Sequence, residues 1–127
     1  MCPWENHLYA LTLKGRIVVE VLEFGVAAMT ADKPTSSRFL QLSGFKVIYN
    51  ISHPVGKRIV DVQLRCSDCE YPKYEPLRLH QDYRLVVMEY LANGMNGFQM
   101  ISSNARDLQY VMCLNCVTLR IIVIVMC

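Results

Sequence analysis

Phe45, Val47, Tyr49 and Ile51 alternate with Lys46, Ile48 and Asn50, the two-residue period of a strand with one face buried. Residues 59–65 alternate more weakly, and the intervening 52–57 carry Pro54 and Gly56. The two runs predict an antiparallel hairpin with a loop longer than two residues. Short apolar runs at 8–13 and 39–42 stop at Lys14-Gly15 and Ser43-Gly44 and predict a strand followed by a turn each. Residues 83–88 (YRLVVM) are apolar on both faces and predict a central strand. Residues 16–29 (RIVVEVLEFGVAAM) break the pattern. Their β-branched residues favour a strand locally, but Ile17, Val21, Phe24 and Ala28 share one helical stripe and the run is long for a strand, so a helix is predicted. Residues 30–37 form a polar loop with Pro34, 70–82 carry two prolines and are expected to be irregular, and a helix is expected to begin within 98–110. There is no internal repeat, low-complexity tract or sign of a second domain.

A chain of 127 residues makes one domain. At 53% hydrophobic and 19% charged it is built to bury a core, which excludes disorder. A formal charge of +2 without a cluster argues against nucleic acid as a partner. Glu5, Asn6 and His7 interrupt the opening too early for a secretion signal. The most apolar stretch, VTLRIIVIVMC, has seven residues after Arg120, short of the ~20 a spanning helix needs, so it reads as a buried strand or a poorly packed tail and not as a complete membrane anchor.

Six cysteines include two CxxC pairs, Cys66/Cys69 and Cys113/Cys116. Four thiolates could hold one tetrahedral zinc, although the gap between the pairs is far longer than in small zinc ribbons. Cys66 and Cys69 would pair locally in an oxidising compartment and stay as thiols in a reducing one. Tyr71-Pro72 blocks the helix that a redox CxxC would open. No Gly-rich phosphate loop, HExxH or GxSxG is present. His7, His53 and His80 lie far apart in sequence, and Asp61/Asp68 and Glu70/Glu75 read as solvated positions. No catalytic residue is therefore assigned. Asn50-Ile51-Ser52 is an N-glycosylation sequon, meaningful only in a secreted chain.

The stretch Tyr90-Leu91-Ala92-Asn93-Gly94-Met95-Asn96-Gly97-Phe98 resembles the substrate loop of the 5′-nucleotidase family, in which aromatic-Leu-Ala-x-Gly-Gly-Asp-Gly-Phe follows a strand. The resemblance extends to FLQLSGFKVIYNIS (39–52), to the Cys66/Cys69 pair followed by Tyr-Pro-x-Tyr, and to PWENHLYALTLKG (3–15), in order along the chain. It implies an α+β fold with a mixed, mainly antiparallel sheet and one or two packed helices. Residues 1–108 would be part of the C-terminal, nucleoside-binding domain, incomplete at both ends, and 109–127 a divergent apolar tail. The family implies a division of labour in which two zinc-type divalent ions act in a separate N-terminal metallophosphatase domain. The C-terminal domain stacks the base of a nucleoside 5′-monophosphate, AMP or adenosine being typical, between two aromatic rings. Carried onto this chain, Trp4 and Tyr90 fall at the stacking positions, and Asn93, Gly94, Asn96 and Gly97 at the loop. Asn96 stands where the family has aspartate, and Met95 replaces a loop glycine. The resemblance further implies a Cys66–Cys69 disulfide, an extracellular or cell-surface setting and homodimers formed through this domain. Because the metal-binding residues fall outside the matched region, this polypeptide is expected to be inactive alone. The alternatives are a non-catalytic nucleoside-binding or interaction fragment and a small CxxC/CxxC zinc protein.

Overall fold

The computed structural model describes residues 7–34, 36–66, 69–71, 73–111 and 122–125. Leu8–Lys14 (β1) runs without a turn into a helix, Gly15–Val26 (α1). Gly15 allows this junction, because a Cβ there would overlap the Arg78 carbonyl. The 78–81 segment lies against the helix start and takes its first two N–H groups, Gly15 to Gln81 O (2.8 Å) and Arg16 to Leu79 O (3.0 Å). These bonds replace the side-chain cap that Lys14 does not provide. The β-branched run adopts a helix because its apolar stripe is buried. Ile17, Val18, Val21 and Leu22 are all enclosed, each worth about 1.5–3 kcal/mol, which outweighs a per-residue propensity cost below about 1 kcal/mol.

The remaining elements are Gln41–Ser43 (β2), Phe45–Tyr49 (β3), Ile59–Arg65 (β4), Tyr74–Pro76 (β5), Asp82–Met88 (β6), Glu89–Ala92 (α2), a 3₁₀ turn Met95–Gly97, Gln99–Asn104 (α3), Arg106–Val111 (β7) and Ile122–Val125 (β8). They form the α+β architecture with mainly antiparallel strands, divided between two sheets. The larger has the order β2-β8-β6-β1-β7 and the smaller β3-β4-β5. Among the described pairs β6–β8 alone is parallel (Leu85↔Ile122 to Val87↔Ile124). β6 is central as expected, flanked by β1 and β8, and Leu85, Val86, Val87 and Met88 are buried. The β3–β4 hairpin pairs Phe45 with Leu64 through Tyr49 with Ile59, with an irregularity after Ile48.

Three expectations change. The 70–82 stretch contains β5, because Leu64 and Arg65 present a free edge that Glu75 and Tyr74 complete. The helix after residue 98 ends at Asn104, and the chain then becomes β7 along the other edge of β1. The helix expected over 16–29 ends at Val26, where the buried Arg58 guanidinium donates to the carbonyls of Val26 (2.6 Å), Ala27 (3.3 Å) and Met29 (2.8 Å). Residues 122–125, within the stretch expected to form a separate tail at 109–127, supply β8, with Ile124 fully buried in the core. Among the described residues no helix is long and apolar enough to cross a membrane.

Candidate functional site

The loop that bears most of the expected site residues leaves the end of β6. Glu89 N–H donates to His7 O (2.7 Å), tying the start of α2 to the start of β1. In the one turn of α2, Leu91 points inward and is fully buried, and Tyr90, one position earlier, is 38% exposed. The core position of Leu91 therefore presents the Tyr90 ring at the surface.

Two glycines then fix the course of the loop. Gly94 has φ +76 and is buried, and a Cβ there would lie 2.5 Å from Ser102 Oγ and 3.2 Å from Gln99 Cα. Gly97 has φ +88, and a Cβ there would lie 2.6 Å from Phe24 Cζ. Both positions require glycine for conformation and for space. Between them Asn96 adopts the left-handed conformation (φ 57, ψ 27), which asparagine and aspartate tolerate better than other side chains. Met95 does not take a positive φ, so the loss of a glycine there carries no backbone strain. Asn93, Met95, Asn96 and Gly97 are exposed. Bonds from Asn93 N–H to Glu89 O (3.0 Å), Gly94 N–H to Leu91 O (3.0 Å) and Phe98 N–H to Met95 O (3.2 Å) close the turn on itself.

Phe98 anchors the far end. It is fully buried and meets Phe24 edge-to-face, with ring centroids 4.9 Å apart and planes at 80°. The Arg38 guanidinium carbon stands 4.5 Å from the Phe24 centroid. Phe24 thus supports the loop at both Gly97 and Phe98. The sequence reading placed Phe24 only in the core stripe of α1. No spacing rule marks its second role, which arises where the helix crosses under a loop more than 70 residues away.

The structure brings Tyr90, Asn93, Gly94, Asn96 and Gly97 together on one pinned turn. Trp4 lies outside the described residues. Asn50 sits on the other sheet, at the turn of the β3–β4 hairpin. A mostly apolar groove of about 340 Å³ runs behind Phe24, lined also by Val19, Val55 and Met100, and a polar cleft of about 280 Å³ is lined by Lys14, Arg16 and Arg106. Neither is lined by Tyr90, Asn93 or Asn96, so the wall opposite Tyr90 has to come from outside the loop. In the polar cleft, Arg106 donates to Asp82 at 2.6 Å and holds its carboxyl below the usual carboxylate range.

Cys66 and Cys69 are joined as a disulfide, with Cα atoms 5.5 Å apart. Together with Glu75 they form a cluster of potential metal-ligand atoms within 4.8 Å of one another. With the two sulfurs bonded to each other, neither is a thiolate ligand, and the set does not fit a pair of hydrolytic metal ions. Cys113 and Cys116, the other half of the zinc alternative, lie outside the described residues.

The family model for the 5′-nucleotidase C-terminal domain matches residues 1–103. The chain belongs to the 5′-nucleotidase family. It is 36% identical over 107 residues to an apyrase of Tabanus yao, covering 84% of this chain and 19% of that protein. It is 39% identical over 99 residues to the human 5′-nucleotidase, covering 78% of this chain and 17% of the relative. Among solved structures, a 5′-nucleotidase precursor from Thermus thermophilus superposes with a TM-score of 0.69 at 33% identity, covering 86% of this chain and 20% of that one. The NAD nucleotidase of Haemophilus influenzae gives a TM-score of 0.63 at 25% identity, covering 80% and 17%. The chain therefore spans about a fifth of the length of the 5′-nucleotidase relatives it matches.

Proposed function

We propose that this chain supplies the nucleoside-gripping part of a 5′-nucleotidase-type hydrolase, and that bond cleavage belongs to a metal-binding domain outside these 127 residues. The observation that carries the reading is the pinned turn over residues 90–98, with an exposed phenol and two exposed amides on a backbone fixed by Gly94 and Gly97. A ring held this way has little freedom left to lose on binding, and stacking on a purine is worth about 1–3 kcal/mol per base. Asn93 and Asn96 offer amide donors and acceptors to ribose hydroxyls. Trp4 supplies the opposing ring in this reading. The substrate class is a nucleoside 5′-monophosphate such as AMP, in keeping with the nucleotidase names of the relatives. The role is nucleotide catabolism. The Cys66–Cys69 disulfide supports an extracellular or cell-surface setting.

The metals of the family's reaction would supply a polarised phosphoryl group and an activated water. The residues described here bind and orient the nucleoside instead. Adenosine titrated into the chain should quench or shift the fluorescence of Trp4, the single tryptophan. Tyr90→Ala should weaken binding roughly 5- to 100-fold, whereas Tyr90→Phe should leave it nearly intact. A flat titration with the wild-type chain would sink the reading. A phosphate-release assay with AMP and zinc should give background for the chain alone, and turnover on an enzymatic scale would relocate the chemistry into it.

A further inference from the structure

We propose that Asn50 is an N-glycosylation site, used when this chain passes through a secretory compartment, and that the hairpin turn is built to carry the sugar without rearranging. Asn50-Ile51-Ser52 is the one sequon in the chain. It lies just past the end of β3. Asn50 N–H donates to Arg58 O (2.7 Å), which closes the hairpin, and Asn50 Oδ1 accepts from Ser52 N–H (3.0 Å) in an Asx turn. Residues 52–57 are all exposed, and a Cβ placed on Gly56 would meet nothing within 4 Å, so the tip stands in open space.

The amide nitrogen decides whether the turn survives modification. Asn50 Nδ2 lies 3.1 Å from His53 Nε2, and His53 Nδ1 lies 3.3 Å from Lys57 O. A carbonyl oxygen only accepts, so Nδ1 carries the proton and the Nε2 lone pair accepts from the asparagine amide. That contact uses one of the two amide hydrogens. In the transfer, Nδ2 bonds to the anomeric carbon of a lipid-diphosphate-linked oligosaccharide. The bond from that carbon to the diphosphate oxygen breaks, the lipid diphosphate leaves with the electron pair, and one amide proton passes to a base of the transferase. The other N–H stays on Nδ2 and keeps its bond to His53, and Oδ1 keeps Ser52 N–H. The disulfide between Cys66 and Cys69 is an independent sign of the oxidising compartment in which this transfer takes place. The proposal does not depend on the nucleoside reading.

The test is to make the 127-residue chain behind a cleavable secretion signal in cultured eukaryotic cells. Medium and microsomal fractions are then analysed by gel shift after endoglycosidase treatment and by peptide mass spectrometry. The expected result is a single endoglycosidase-sensitive step, with Asn50 converted to aspartate on enzymatic release of the glycan. Ser52→Ala should abolish the step while leaving the melting temperature of the deglycosylated chain unchanged, because Ser52 uses its backbone N–H in the turn. Ser52→Thr should retain it. Chain recovered from either fraction with Cys66–Cys69 oxidised and Asn50 unmodified would overturn the proposal.

Discussion

Gly97 and Phe24 act as a matched pair, one giving up its side chain so that the other can lie beneath the backbone. Gly97→Ala forces a Cβ to 2.6 Å from Phe24 Cζ at φ +88 and should cost roughly 1–3 kcal/mol in thermal or denaturant unfolding. A smaller partner relieves the overlap, so Gly97→Ala combined with Phe24→Leu should be less harmful than the sum of the two single changes in a double-mutant cycle. Asn96 tests a different quantity. Aspartate tolerates the same left-handed backbone, so Asn96→Asp should leave the fold unchanged. Under the proposed function the restored charge should tighten adenosine binding about fivefold, the difference of about 1 kcal/mol between a charged and a neutral hydrogen bond. Tyr49 reports through pH. Burial first, and then the Glu23 carboxylate, push its phenol up to about 12. An unfolded tyrosine titrates near ~10, so between these values the unfolded chain has lost a proton that the folded chain keeps. The Tyr49 contribution is complete below pH ~10 and is lost as pH rises through about 12. Melting temperature against pH should therefore fall less steeply over that window in Tyr49→Phe.

At the scale of elements, α1 is joined to the hairpin by two buried charged residues that serve backbone groups. Glu23 accepts from the N–H groups of Arg58 (3.1 Å) and Ile59 (2.8 Å), and Arg58 returns its guanidinium to the last carbonyls of α1 and to His53 O (3.1 Å). A cation at a helix C-terminus also offsets the macrodipole. Arg58→Met should therefore cost roughly 2–4 kcal/mol, read by chemical denaturation, because several buried carbonyls lose their donor at once. Glu23→Gln retains one acceptor oxygen, turns the other into a donor facing an N–H, and should cost about 1–3 kcal/mol. The same change should bring the Tyr49 titration down, since one of its two causes is removed. The alternation in β3 and the helical stripe of α1 are legible in the sequence, because each follows from burying one face of a local element. The end of α1 is not, since it is set by a guanidinium arriving from more than 30 residues away.

At the scale of the whole molecule, β8 lies between β2 and β6 and closes the larger sheet. Ile124 is its buried anchor, so Ile124→Ala should cost roughly 2–5 kcal/mol and expose apolar surface, which dye binding and light scattering would detect. The disulfide, by contrast, spans a sequence separation of 3 and closes a very short loop. Replacing both Cys66 and Cys69 with serine should cost no more than about 2 kcal/mol and leave a folded chain. By itself the sequence determined the helix over α1, the β3–β4 hairpin, the central β6 strand and the residues of the 90–98 turn. Each of these rests on a periodicity or a glycine-bearing motif written within a few consecutive positions. Only the tertiary structure decided that Arg106–Val111 and Ile122–Val125 become strands, that the strands divide into two sheets, and that Phe24 supports the loop. Those outcomes depend on which free strand edge or which ring another part of the chain supplies, and a local pattern carries no record of a partner dozens of residues away.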